Sequence, residues 1–224
     1  MPPHRAETLP HPSVHMTFRR GMRGRIRGVM RGKFSTLLEG AGDVFGVKFR
    51  PGGFHPFVRK PLSALTDVVV PLRTIWGTES QALERAVLTR GDVDGRIAAV
   101  EDFLRGRRPH LDDRAQLAGR IAYAIAADRT LLTMEHVARR FEIAPRTLQR
   151  LFAHYLGVSP KWVIRRYRLH EAAEQLARGA ADQVSLALDL GYADQSHFVK
   201  DFKLTVGTSP AAYARRARRL LPHR

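Results

Sequence analysis

Two groups of polar side chains near the end of the chain have the types and the spacing to bind nucleic acid. They are Arg146, Thr147 and Arg150 in the first group and Ser196, His197 and Lys200, fifty positions further on, in the second. These side chains can donate hydrogen bonds to phosphates or base edges, and arginine can make the bidentate contact that distinguishes guanine. Gln149 and Gln195 flank the groups and carry the amide that pairs with adenine. The eight residues predict two faces that read base sequence.

Each polar group lies opposite an apolar stripe of helical spacing. The stripes are Leu148, Phe152 and Tyr155 in the first stretch and Phe198, Phe202 and Val206 in the second. Residues at this spacing share one side of a helix, so the polar groups fall on the other side. A solvated polar face is the simpler explanation for a single helix. Its recurrence at matched positions favours a function for both.

The two stretches belong to a duplicated unit. The first copy reads MEHVARRFEIAPRTLQRLFAHYLGVSPKWVIRRYR and the second reads VSLALDLGYADQSHFVKDFKLTVGTSPAAYARRAR. Gly157, Ser159 and Pro160 recur fifty positions later, whereas Val137 and Ala138 match Leu186 and Ala187, which are forty-nine positions later. The second turn therefore holds one extra residue. A short helix, a turn and a polar-faced helix in each copy predict two helix-turn-helix units.

A long helix is predicted between the two units. Ser159 suits a helix cap, Pro160 suits the first helical position and Gly179 suits the end, so the helix should cover residues 160–177. A helix of that length, at about 1.5 Å per residue, measures roughly 27 Å. It could hold the two recognition helices at a separation close to one turn of B-DNA, which is roughly 34 Å.

Three stretches of this region, ARRFEIAPRTLQRLF, GVSPKWVIRRYRL and LALDLGYADQSHFVKDFKLTVGTSPAAYARR, resemble the DNA-binding domain of AraC/XylS-type bacterial transcription regulators. The resemblance implies seven helices in two subdomains joined by the long helix. The base-reading positions that it implies are Arg146, Gln149, Arg150, Gln195, Ser196, His197 and Lys200. Glu142 stands where the family usually has glycine, so we expect the first turn to be less tight than the turn at Gly191.

The N-terminal part has the alternating pattern of short strands. VHMTF, RIRGVM, KFSTLL and VFGVKF are separated by glycines, which predicts a small antiparallel sheet. LPHPSVHMTF and VFGVKFRPGGFHPF resemble the small β-barrel sensor region of some regulators of the same family. Only about eight residues precede the first of these stretches. We therefore expect a partial barrel with an open edge, unless another chain completes it or the sequence begins inside its natural domain.

The expected fold class is α+β, with a small antiparallel β-sheet in the form of a partial barrel before an all-α DNA-binding domain. Residues 1–77 are predicted as a β-rich sensor or pairing region and 78–107 as a helical connector. Residues 108–216 are predicted as the double helix-turn-helix domain and 217–224 as a basic tail. Helical spacing further predicts helices over 80–88, 93–105 and 112–127.

The charge of the chain agrees with a polyanionic partner. The formal net charge is +17, and residues 133–224 hold 16 basic and 8 acidic groups against 10 of each in residues 61–132. Basic helices at the C-terminal end are the electrostatic footprint expected for double-stranded DNA. Residues 1–60 are also basic, with seven basic groups between Arg19 and Lys33. These form a solvated face, a pocket for an anionic effector or a second contact with DNA.

The chain has no cysteine, which excludes several functions. Disulfides, thiolate zinc sites and a DNA-repair methyl acceptor of the Ada type all need cysteine. His11 and His15 lack a third metal ligand nearby, and Asp112 with Asp113 fits the start of a helix better than a catalytic pair. We therefore expect no enzyme, cofactor or metal. Without a signal peptide or an apolar run of membrane length, the protein is expected to be cytoplasmic, associated with the nucleoid and without a membrane partner.

The leading expectation is a sequence-specific transcription regulator that inserts two recognition helices into successive major-groove segments. Its N-terminal part would sense a small-molecule effector or pair two chains into a homodimer, and RNA polymerase would be a partner if the protein is an activator. The alternative is a nonspecific architectural protein, for which the outward side chains need only be basic. Thr147, Gln195 and Ser196 are uncharged, which favours reading of base sequence.

Overall fold

The computed structural model describes residues 4–32, 34–38, 43–58, 60–107, 109–110, 112–179 and 182–220. Its strands are β1 (His4–Thr8), β2 (His15–Arg19), β3 (Arg25–Arg27), β4 (Phe34–Leu38), β5 (Val44–Lys48) and β6 (Val69–Pro71). Its first helices are α1 (His55–Val58), α2 (Leu72–Trp76), α3 (Ser80–Thr89), α4 (Val93–Gly106) and α5 (Asp113–Ala127). The others are α6 (Met134–Arg140), α7 (Pro145–Tyr155), α8 (Pro160–Ala177), α9 (Gln183–Asp189), α10 (Gln195–Val206) and α11 (Pro210–Leu220). Within these ranges no helix has both the length and the apolar character needed to cross a bilayer.

Four of the strands form an antiparallel sheet in the order β5-β2-β3-β6. In β2, Met16 and Phe18 are fully buried while His15 and Thr17 are half-buried, because alternate residues of a strand point to opposite faces. Met16 stands opposite Ile26 of β3, which is also fully buried. The sheet therefore has one apolar face, and the antiparallel sheet predicted for the N-terminal part is confirmed.

The strand pairing departs from the prediction in two places. KFSTLL contains β4, which pairs with β1 instead of with its neighbours in sequence, and β1 comes from residues expected only to precede the sheet. RIRGVM, predicted as one strand, leaves the sheet after Arg27. At Gly28, the next residue, an added Cβ would lie 1.7 Å from the Leu65 carbonyl oxygen, so only glycine fits at this close approach.

Helices α3 and α4 pack against the apolar face of the sheet. Leu83 and Val87 of α3 and Val100 of α4 are buried in one cluster with Phe18 and Leu72. The segment 78–107, predicted as a connector, thus shares the core of the N-terminal domain.

The C-terminal domain, as far as the structure describes it, has the seven helices that the family resemblance implies, α5 to α11. The first core lies between α5, α6, α7 and the start of α8, around Ile121, Leu148 and Phe152. The second lies between the end of α8 and α9, α10 and α11, around Phe198 and Phe202. Helix α8 therefore supports both helix-turn-helix units, and the predicted architecture is confirmed.

The bounds of α8 are those predicted from its capping residues. Ser159 Oγ accepts a hydrogen bond from the Trp162 N–H at 3.2 Å, which satisfies a donor at the helix start. Beyond the other end, Gly179 has a φ of 94°, a left-handed conformation that glycine adopts without strain.

The N-terminal domain contacts the first helix-turn-helix unit directly. Thr66 Oγ1 donates a hydrogen bond to the Gly157 carbonyl at 2.6 Å. A Cβ at Gly157 would lie 2.8 Å from the Leu62 carbonyl oxygen, so only glycine permits this approach. Val29, which follows β3, is buried in the core around α5 to α8. The two domains are thus closely packed.

Candidate nucleic-acid interface

The first helix-turn-helix unit consists of α6 and α7. Thr133 caps α6, because its Oγ1 accepts a hydrogen bond from the His136 N–H at 3.2 Å. Helix α7 begins at Pro145, where the missing N–H has no consequence. Leu148 and Phe152 are fully buried against the rest of the unit. The four side chains predicted to read bases are all exposed on the opposite side: Arg146, Thr147, Gln149 and Arg150.

The second unit, α9 and α10, repeats this arrangement. Asp182 caps α9 by accepting from two backbone N–H groups, and Asp194 caps α10 by accepting from the His197 N–H at 2.7 Å. Carboxylates suit these places because the start of a helix carries partial positive charge. The four predicted side chains of this unit are exposed as well: Gln195, Ser196, His197 and Lys200.

The two turns have the same conformation although one contains glutamate and the other glycine. Glu142 has a φ of 53° and Gly191 a φ of 78°. The next N–H in each turn, that of Ile143 and that of Tyr192, closes it with a 3.0 Å hydrogen bond to a carbonyl of the preceding helix. We expected the first turn to be looser than the second, but the hydrogen bonds that close the two turns have the same length. That expectation is therefore wrong for this bond. Glu142 instead adopts the left-handed conformation, which strains a residue with a side chain.

One side chain of each polar face lines a cleft between the two units. The cleft has a volume of about 650 Å³, and its lining includes Gln149 of α7, Lys161 of α8 and His197 of α10. Gln149 and His197 therefore bring one residue of each face to the same opening, whereas the other six predicted side chains lie outside its lining. Such an arrangement allows both helices to approach one elongated ligand.

Three arginines of α8 hold the surrounding elements in place, and the sequence analysis did not assign them this role. The RRYR motif places Arg165, Arg166 and Arg168 within one turn, so at about 100° per residue their side chains leave the helix in different directions. Arg166 and Arg168 are nearly fully buried, at 3% and 2% exposure. Three basic residues on a helix that supports two cores could have signalled internal contacts.

Arg165 connects α8 to the second recognition helix. Its guanidinium forms a salt bridge with Asp201 of α10, a carboxylate that is 2% exposed. The Tyr192 hydroxyl, in the turn between α9 and α10, donates to the same carboxylate at 2.8 Å. Burial raises the pKa of Tyr192, so the hydroxyl keeps its proton. The orientation of α10 is thus fixed from two sides.

Arg166 and Arg168 reach the other neighbours of α8. Arg166 Nη2 donates to the Arg31 carbonyl of the N-terminal domain at 2.7 Å, and its guanidinium lies 4.8 Å from the Trp162 ring. Burial lowers the pKa of Arg166 to about 10, with Arg165 as a second cause, which leaves it charged at neutral pH. Arg168 Nη2 donates to the carbonyls of Ile125 and Asp128, at 3.0 and 2.8 Å, and so caps the end of α5. All three arginines position the units and leave the outward faces free to bind.

Two similar units with outward polar faces on one supporting helix define a double helix-turn-helix protein. Residues 137–216 match the family model described as Helix-turn-helix domain. Residues 1–71 match the model described as Domain of unknown function (DUF6597). In its C-terminal domain the chain is thus similar to helix-turn-helix regulators, as the resemblance in the sequence implied.

Individual proteins match parts of the chain. Regulatory protein PocR of Salmonella typhimurium is 32% identical over 109 residues, which are 49% of this chain and 35% of PocR. The RCS-specific HTH-type transcriptional activator RclR of Escherichia coli is 32% identical over 90 residues, 40% of this chain and 32% of RclR. The chain thus spans about a third of the length of these relatives. Among solved structures, apo ToxT K231A from Vibrio cholerae is 14% identical with a TM-score of 0.43, over 94% of this chain and 88% of ToxT.

Proposed function

We propose that the protein is a sequence-specific DNA-binding transcription regulator, in which α7 and α10 enter successive segments of the major groove. The observation that carries this proposal is the pair of exposed polar faces at equivalent positions of two helices, each of which contributes one side chain to a shared cleft. A helix of about 18 residues between the units measures roughly 27 Å, close to the 34 Å turn of B-DNA. The names of PocR and RclR as a regulatory protein and a transcriptional activator support the same function.

The proposed roles follow from the chemistry of each side chain. Arg146, Arg150 and Lys200 have the donors that recognise the O6 and N7 atoms of guanine. Gln149 and Gln195 can make the paired contact with adenine. The remaining three, which can contact either bases or phosphates, are Thr147, Ser196 and His197. The mixture of charged and uncharged groups supports reading of sequence over simple coating of DNA.

The N-terminal domain supplies the proposed control. It packs on α7 and α8 through Thr66, Val29 and the Arg31 carbonyl, so a change in this domain reaches the helix that carries both units. We propose that a small-molecule effector or a second copy of the chain acts there. RNA polymerase would be a further partner if the protein activates transcription.

Binding of the purified full-length chain to random duplex DNA, followed by sequencing of the retained fragments, tests the proposal. We expect a recovered motif with two blocks about 10 base pairs apart. The logarithm of affinity should fall with the logarithm of salt concentration by about 0.9 per phosphate contacted. A steep salt dependence without any enriched motif would instead support the nonspecific architectural protein, and a flat one would contradict both functions.

A further inference from the structure

The cleft between the two helix-turn-helix units raises the question of what holds one recognition helix at a fixed angle to the other. Its volume is about 650 Å³, and it has Gln149 of α7 and His197 of α10 in its lining. Open space cannot hold two helices in place. The orientation of α10 relative to α7 therefore depends on the contacts along the walls of the cleft and on α8.

The apolar contacts bring the second unit close to the rest of the chain. Leu132, half-buried just before the cap of α6, lies against the second turn, where a Cβ at Gly191 would be 3.3 Å from its Cδ1. Leu169 of α8 and Phe198 of α10 share the second core, against which Leu9 also packs. Burial of apolar surface is non-directional, and packed helices can slide past each other by small amounts. These contacts therefore leave the exact rotation of α10 to a directional interaction.

The salt bridge between Arg165 and Asp201 supplies that direction. Among the residues that the structure describes, it is the one ion pair or hydrogen bond that joins α8 to α10. Arg165 Nε faces Oδ2 and Nη2 faces Oδ1, an arrangement that fixes the angle between the two groups as well as their distance. The Tyr192 hydroxyl donates to the same Oδ2 at 2.8 Å, so the second turn joins the link. Since the Asp201 carboxylate is buried, water cannot take the place of the arginine.

We propose that the Arg165–Asp201 pair fixes the orientation of α10 relative to α7 and thereby sets the single spacing between the two DNA segments that the protein accepts. The spacing consequence rests on the DNA-binding function proposed above, whereas the orientation does not. One base pair more or less between the segments moves the second by about 3.4 Å along the duplex and rotates it by about 35°. A bidentate pair cannot follow such a shift without breaking. Both residues thus act through the position of the recognition helix.

Distances between spin labels on α7 and α10 test the orientation without DNA. The chain has no cysteine, so Ala153→Cys and Leu204→Cys, at exposed positions outside the recognition faces, direct the labels to those two positions alone. Double electron–electron resonance gives the distribution of the distance between the labels. We expect this distribution to become about twofold broader when Arg165→Met and Asp201→Asn are combined, because small sliding of the packed helices is then allowed. An unchanged width would overturn the proposal.

The choice of variants separates loss of the link from loss of the fold. Arg165→Met combined with Asp201→Asn leaves no buried charge without its partner, and circular dichroism checks that the helices remain. Arg165→Lys keeps the charge but cannot make the bidentate contact, so it should give an intermediate width with the fold intact. Arg178→Met removes the cation of an exposed pair at the end of α8 and is the matched control. Broadening of equal size in Arg178→Met would show a general loosening of α8 and contradict the role of the pair.

Selection from random duplex DNA measures the consequence for binding. The unsubstituted chain should enrich a motif with one spacing between its two blocks. The doubly substituted chain should also enrich the neighbouring spacings, and its loss of affinity on insertion of one base pair should fall from about tenfold to about threefold. If the half-exposed Arg165 instead contacts a phosphate, Arg165→Met lowers affinity at every spacing and reduces the salt slope by about 0.9, while Asp201→Asn has no effect. That result would overturn the proposal.

The two measurements together distinguish this inference from the proposed function. Broadening of the label distances in a chain that enriches no DNA motif would preserve the role of Arg165 and Asp201 in orientation and overturn the proposed function. A motif enriched at the same single spacing with and without the pair would preserve the proposed function and overturn the inference. A motif with several spacings in the unsubstituted chain would do the same.

Discussion

His55 and His154 lie with their Nε2 atoms 3.1 Å apart across the junction between the N-terminal domain and α7. His55 is buried, and its Nδ1 lies 3.7 Å from Asp112, the residue that caps α5. Tyr155 packs its ring edge against His55 at 4.5 Å. When the two facing Nε2 atoms carry one proton between them, one imidazole donates a hydrogen bond to the other. A second proton would turn both into donors and force them apart.

This pair predicts that acid weakens the junction. Burial, and then His154, lower the pKa of His55, while Asp112 acts in the opposite direction. The pKa of His55 in the folded state therefore lies below its unfolded value of about 6.5, so the unfolded chain binds more protons. The contribution of His55 to the free energy of unfolding is therefore fully present above about pH 6.5 and is lost as the pH falls below that value. His11 and His170, whose pKa values are also lowered, add to the same trend.

Urea unfolding of the full-length chain at pH 7 and pH 5 measures this effect. The midpoint should fall on acidification, and His55→Gln should reduce the fall. His110→Gln removes an exposed histidine and serves as the matched control. Equal pH dependence in the two variants would show that the His55–His154 contact is not a source of the acid sensitivity.

The recognition faces predict base-specific losses. Arg146→Ala and Lys200→Ala should each relax preference at a different position of the DNA motif, at about 1–3 kcal/mol if they contact base edges. Arg215→Ala, at an exposed position of α11 that belongs to neither face, should weaken all sequences alike if it contacts a phosphate. Competition binding against a library of single-base substitutions measures the three profiles. Identical profiles would contradict the assignment of the faces.

The strained turn predicts a stabilising substitution. Glu142→Gly removes the left-handed strain of about 1–2 kcal/mol but makes the unfolded chain more flexible, so the net gain should be about 0.5–1 kcal/mol. Glu142→Ala keeps the strain and controls for the lost carboxylate. Gly191→Ala should destabilise the other unit, since it creates the strain there. Chemical unfolding that finds Glu142→Gly no more stable than Glu142→Ala would refute this account.

The Arg165–Asp201 salt bridge predicts a loss that a second substitution recovers. Arg165→Met leaves a buried carboxylate without its cation, which should cost about 3 kcal/mol, the low end for such pairs because Arg165 is half-exposed. Asp201→Asn in the same chain should recover part of that cost. Arg178→Met breaks a pair whose two side chains are both exposed and should change stability by less than about 0.5 kcal/mol. A double-mutant cycle by urea unfolding gives the coupling energy, and a value near zero would contradict the role of Arg165.

The local sequence pattern predicted most of the fold of the C-terminal domain and less of the fold of the N-terminal domain. The ends of α8 follow from Ser159 and Gly179 because capping is a property of neighbouring residues. The exposure of the recognition residues follows from apolar periodicity. The pairing of β1 with β4 joins residues about thirty positions apart, and no periodicity encodes which strands meet. The contacts of Arg166 with Arg31 and of Arg168 with α5 are likewise set only when distant segments pack.

The arrangement of the cores predicts how the chain can be divided. Among the described residues, Val29 is the one buried member of the first C-terminal core that comes from the N-terminal domain, and the second core draws its buried members from α8 to α11. A fragment of residues 108–224 retains the second core, the first core without Val29 and the Asp112 cap of α5, so it should fold into helices and keep its sequence preference. It should be less stable than the whole chain, because it loses the contacts of Thr66 and Arg31 with Gly157 and Arg166.

The complementary fragment, residues 1–107, keeps the core around Phe18 and Leu72 but retains β5 at the edge of its sheet. An unpaired edge strand offers its backbone donors and acceptors to other chains, so this fragment should self-associate. Circular dichroism, gel filtration and competition gel shifts of both fragments measure these outcomes. A helical C-terminal fragment that binds random and motif-bearing DNA equally would show that sequence preference requires the N-terminal domain. In that case the control would act through assembly of two chains rather than through the recognition faces alone.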